Sequence, residues 1–98
     1  MSFFTRQTRI AQIDDENSVT VRKLTFGEFS QVLSDNTGAE AQGLGVVRAA
    51  IVSWDGPGFD GRKPTPENID ALPVEVVMKI IPVATELNSV NTGVEGKV

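Results

Sequence analysis

The stretch DGPGFDGRKPTPENID, residues 55–70, sets Asp55, Asp60, Glu67 and Asp70 among glycines and prolines. Carboxylates on a glycine-rich loop could hold a divalent cation. An EF-hand loop needs side-chain oxygens at its first, third and fifth positions. Counted from Asp55, the third and fifth positions are Pro57 and Phe59, which offer none. Asp55 and Asp60 are left able to share a cation only weakly. The simpler reading is a surface connection whose glycines supply positive φ around Pro57 while Phe59 folds back onto the core.

Other candidates for chemistry are thinner. Gly43 and Gly45 begin a dinucleotide fingerprint, but Arg48 stands where its third glycine belongs, and no suitable strand precedes. No Walker motif occurs. Glu67 and Asp70 fall on one helical face, whereas glycosidase-type acid/base work needs two carboxyls across a cleft. The chain also contains no histidine, cysteine or tyrosine. That removes the usual proton-transfer side chain, thiolate metal ligands and any disulfide framework. The expectation is a protein without catalytic residues, metal or cofactor, which works by binding.

The totals agree. Ninety-eight residues suit one domain, in which about two-thirds of the unfolded surface is buried. Nine basic and thirteen acidic side chains are spread evenly, without the basic stripe that nucleic-acid binding requires. No apolar run approaches the ~18 residues of a membrane span. MSFFTRQTR lacks a signal-peptide hydrophobic region, which predicts a cytoplasmic protein.

The elements that must position these residues can be read in order. QTRIAQI (7–13) and SVTVRKL (18–24) carry strand periodicity, and DDEN between them predicts an antiparallel hairpin. Thr25 and Glu28 form a capping-box pattern ahead of Phe26, Phe29, Val32 and Leu33 at helical spacing. Asn36 and Gly38 suit the left-handed conformation that ends such a helix. Residues 44–54 are almost wholly apolar. The Ala49–Ala50 pair and the series Leu44, Val47, Ile51, Trp54 favour a helix throughout, with a buried strand as the alternative. Thr65 then caps a helical turn beginning at Pro66, and Pro73 starts a longer helix. The prediction is α+β: an N-terminal antiparallel β-hairpin followed by three to four helices in one domain over residues 1–88. Residues 1–6 are expected to be loose and 89–98 to form a flexible polar tail.

The last helix, PVEVVMKIIPVATELN, carries one narrow polar stripe of Glu75, Lys79 and Glu86. Val74, Val77, Met78, Ile80, Ile81, Val83, Ala84 and Leu87 cover the remainder, more than a surface helix of a small domain usually shows. It is either a central helix, buried between the hairpin and the middle helix, or one that leaves an apolar surface for a partner or a second copy. Pro82 should kink it or make it restart. Val77, Met78, Ile81 and Leu87 are the candidate partner-binding residues. Trp54, the single tryptophan, is either a core anchor or a further contact.

The order of these signals resembles the small tail assembly chaperones of long-tailed, siphovirus-like bacteriophages. In that family a strand precedes a short L-T-x-x-E-F helix, matched here by Leu24, Thr25, Glu28 and Phe29. A helix ending in a Trp-Asp-Gly loop follows, matched by Trp54, Asp55 and Gly56. Lys63, Pro64, Thr65, Glu67, Asn68, Ile69, Leu72 and Pro73 then match the segment that introduces the final helix. The resemblance spans roughly residues 18–88 and its motifs are structural. It implies a non-enzymatic virion-assembly protein of the infected host's cytoplasm, missing from the mature particle. Such a protein keeps the helical tape measure protein soluble and brings tail tube subunits to it. Many members exist in a short and a frameshifted longer form, and the short polar tail here suits the shorter. The rival readings are a structural tail or connector subunit, and a ligand-binding domain using the Asp55–Asp60 loop.

Overall fold

The computed structural model describes residues 2–89. The tail expected over 89–98 lies outside the described residues apart from Ser89. Strands β1 (Thr8–Gln12) and β2 (Ser18–Arg22) form the expected hairpin, pairing Thr8 with Arg22 through to Gln12 with Ser18. Its turn is closed by Asp14, whose Oδ1 accepts from the backbone N–H groups of Glu16 and Asn17, both at 2.9 Å. Those bonds, with the Asn17 side-chain amide, hold the Asp14 carboxyl below its ordinary value. Of residues 1–6, expected to be loose, the described residues 2–6 contain no helix or strand.

Helix α1 (Phe26–Asp35) begins at the expected capping box. The Glu28 N–H donates to Thr25 Oγ at 3.2 Å and the Thr25 N–H donates to Glu28 Oε1 at 2.9 Å. Its end differs from expectation: Asn36 is extended, and only Gly38, at φ +95°, takes a positive φ, as the N-cap of the next helix. Phe26 is 88% exposed, so Val32, not the whole Phe26–Phe29–Leu33 series, is the buried residue of α1. Helix α2 (Ala39–Ala50) packs closely on α1 at Gly45, where an added Cβ would lie 2.8 Å from Val32 Cγ1. The second glycine of GLG therefore serves helix packing.

The helix expected through Trp54 stops at Ala50. Ile51–Asp55 form strand β3, antiparallel to β2, and complete a three-stranded sheet in the order β1-β2-β3. Strand β2 would otherwise leave one edge of N–H and C=O groups without partners, and β-branched Ile51 and Val52 suit the pairing that satisfies them. Helix α3 (Pro66–Asp70) starts as predicted, with Thr65 Oγ accepting from the Asn68 N–H at 3.2 Å. Helix α4 (Val74–Leu87) begins one residue after the expected Pro73 and runs through Pro82 as one element.

Helix α4 lies across β1 and β2 with α2 beside it, as the central-helix reading expects. Ala11, Val19 and Val21 of the sheet and Ile80 and Ala84 of α4 are fully buried. Val47, Ala50, Phe59 and Ile69 extend the same cluster. Asn88, just past α4, ties the helix end to the sheet. Its amide donates to the Arg22 and Ala84 carbonyls, both at 3.0 Å, and its carbonyl accepts from the Leu24 N–H at 2.7 Å. No helix among the described residues is long and apolar enough to cross a membrane.

Candidate binding groove

The apolar residues of α4 divide between two faces. Ile80, Ala84 and Leu87, at i, i+4 and i+7, point at the sheet and are buried. Val74, Val77, Met78 and Ile81 repeat the same spacing on the face turned away from it. Val74 is 73% exposed and Met78 61%, while Val77 and Ile81 are half-buried.

That outer face is one wall of a groove of about 340 Å³. The facing wall comes from Leu44 and Val47 of helix α2 and from Ile51, the first residue of β3, which continues their row. Ile69 and Leu72, from α3 and the turn after it, close one end. The short α3 is held in place three ways. Thr65 caps it, Ile69 is buried, and the Arg48 guanidinium donates to Asp70 Oδ1 at 2.8 Å, joining α2 to α3. With Arg48 and Asp70 engaged with each other, the interior of the groove is almost wholly apolar.

Three of the five expected partner-binding residues, Val77, Met78 and Ile81, meet in this groove. Leu87 does not: it is only 6% exposed, on the sheet-facing row with Ile80 and Ala84. Trp54 is also elsewhere. Its ring stacks on Phe59 with centroids 4.7 Å apart and planes 5° from parallel, and Nε1 donates to the Arg62 carbonyl at 2.6 Å. It anchors the loop after β3. The sequence reading missed Leu72 as a groove residue and placed Leu44 and Ile69 only within their own elements. A helical row on α2 opposite a second one on α4 was the available signal.

The Asp55–Asp60 loop is shaped by packing. Phe59 is buried, and the Gly58 N–H donates to Asn17 Oδ1 at 2.7 Å. Gly56, at φ +130°, lies so close to residues 16–17 that a side chain would collide with their backbone. No group of three or more Asp, Glu, His or Cys residues able to hold a metal ion occurs among the described residues.

A second apolar patch lies at the other end of the sheet. Phe3, Phe4 and Phe26 are 94%, 96% and 88% exposed around a depression also lined by Arg6 and Lys23. Asn88 places the C-terminal end of α4 beside this patch, whereas Lys79 Nζ donates to the Ile13 carbonyl at the hairpin-turn end, at 2.8 Å. The groove, built on the first half of α4, is therefore remote from the three phenylalanines.

Compared with known proteins, the chain matches no protein-family model, no curated protein and no solved structure.

Proposed function

We propose that the protein is a non-enzymatic tail assembly chaperone of a long-tailed bacteriophage, and that the α2–α3–α4 groove holds an apolar face of its helical client. The client class is the tape measure protein, with tail tube subunits recruited to it in the cytoplasm of the infected cell. The observation that carries the reading is the outer face of α4: Val74 and Met78 stand exposed above a groove whose floor is apolar. Amphipathic helices dock in such grooves through i, i+3, i+4 and i+7 anchors, and a methionine lets the surface adapt to several sequences. The ordered resemblance from Leu24 to Pro73 supports the particular assignment.

The test is co-expression with the tape measure protein encoded beside it. Wild-type protein should keep that partner soluble and co-elute with it. Met78→Asp should lose the partner while its circular dichroism and melting temperature stay close to wild type, because residue 78 is mostly in solvent. A Met78→Asp/Val74→Asp double variant that still retains the partner would exclude the groove as the client site. Mass spectrometry of finished particles tests the assignment separately, since an assembly chaperone is absent from them and a structural subunit is present.

A further inference from the structure

We propose that the aromatic pair Phe3–Phe4 of one copy of the protein seats in the α2–α3–α4 groove of a second copy, head to tail. The pair lies in a turn of the segment ahead of β1. That segment is fastened at its base, where Arg6 reaches Glu28 at 3.4 Å and the Lys23 N–H donates to the Gln7 carbonyl at 2.9 Å. Phe3 and Phe4 themselves stand 94% and 96% exposed and nearby Phe26 88%, so the three rings do not cover one another. Rings of this size gain by leaving water. Remote from them, the same chain holds a groove of about 340 Å³ with apolar walls that no described residue fills.

Charge separates the two ways in which a second copy could cover the rings. A symmetric contact, patch to patch, would bring together two depressions that are each lined by Arg6 and Lys23 and by no acid. Glu28 offsets Arg6 but is shared with Arg22, and Lys23 takes part in no ion pair among the described residues. Like charges would then face one another, at a cost. The groove lining carries one cation and one anion, Arg48 and Asp70, already joined at 2.8 Å, and opposes nothing. Area sets the strength. Two phenylalanines bury about 300–500 Å². With the walls they meet, the contact covers about 600–1,000 Å², short of the ~1,200 Å² of a stable specific interface. Association is therefore weak and concentration-dependent. Pair and groove are different surfaces set apart, so each contact leaves one of each unused and assembly continues into chains or rings. A client entering the groove displaces the pair; that consequence rests on the groove being the client site, whereas the docking does not.

The test is light scattering on the full-length protein from about 10 µM to about 1 mM, the range of a weak contact. Wild type should rise from the monomer mass towards double that mass and beyond. Phe3→Ser/Phe4→Ser keeps the groove and loses the pair, while Met78→Asp keeps the pair and loses the groove. Each alone should stay monomeric with an unchanged circular dichroism spectrum, because all three residues are exposed. Mixed in equal amounts, they should form a dimer of one each and stop there, since only one pair and one groove remain usable. Wild type that stays monomeric throughout, or a mixture that yields no such dimer, would overturn the docking. Self-association of Met78→Asp at the wild-type level would overturn it as well, in favour of the symmetric contact. Co-expressed tape measure protein separates this from the client reading. If mixing fails but the serine variant still keeps that partner soluble, only the docking falls. If mixing succeeds while Met78→Asp/Val74→Asp still retains the partner, only the client reading falls.

Discussion

At the scale of single residues, the predictions concern polar groups that fasten the helix ends. Thr25 and Glu28 each satisfy a backbone N–H at the start of α1, so Thr25→Ala should cost about 1 kcal/mol, seen as a fall in melting temperature of about 5 °C. The Thr25 N–H bond, with Arg22 and Arg6 nearby, holds the Glu28 carboxyl below its ordinary value of 4.5. A carboxyl depressed in the folded state adds stability that is complete above its unfolded value and disappears as pH falls through the folded one. Wild type should therefore lose stability as pH drops through and below 4.5, and Glu28→Gln should flatten that part of the curve in urea melts read at successive pH values. Asn88 has a stronger local effect. Asn88→Leu strands the Leu24 N–H and the Arg22 carbonyl in a half-buried site, for about 2 kcal/mol and a fall in melting temperature on the order of 10 °C. The caps at Thr25 and Thr65 were legible in the sequence because a cap is decided within four residues. Asn88 was not, because its partners are Arg22, at the end of β2, and Leu24 just beyond it, 66 and 64 residues earlier.

Among the elements, what was legible depended on whether periodicity alone could decide. The hairpin and α1, α3 and α4 follow from alternation, caps and helical spacing. Residues 51–54 do not, since IVSW after an apolar helix satisfies either period, and the open edge of β2 settles it as a strand. Likewise, the abundance of apolar residues on α4 was visible, but their division into a sheet face and a groove face required the sheet to be in place. Leu87 was assigned to the wrong face for that reason. Pro82 gives a direct test of this element. It sits inside α4 on the exposed side, where it cannot donate to the Met78 carbonyl and its ring crowds that oxygen. Replacing it by Ala restores the missing donor. Pro82→Ala should raise stability by about 2 kcal/mol, measured by urea denaturation, with an unchanged m-value. A loss of stability instead would mean that α4 needs a bend at Pro82 to follow the sheet.

For the molecule as a whole, the α+β class was legible from composition and order of elements, while the groove arises only when α2, α3 and α4 come together. Its walls are well supported from below: Val47 and Ile51 are buried on the α2 side and Ile69 at the closed end, so the groove is formed before anything enters it. A preformed site should need little rearrangement on binding, so its occupancy should appear directly as added stability. A helical peptide with a leucine stripe, at about 100 times its dissociation constant, stabilises the folded state by about 2.7 kcal/mol. For a domain of this size that raises the melting temperature by at least about 10 °C. Met78→Asp should melt with wild type in the absence of peptide and show no such rise in its presence. The pairing of those two results matters. A variant that is destabilised by itself would reveal Met78 as part of the core, whereas an equal rise in both proteins would place the peptide elsewhere, with the exposed end around Phe3, Phe4 and Phe26 the next surface to mutate.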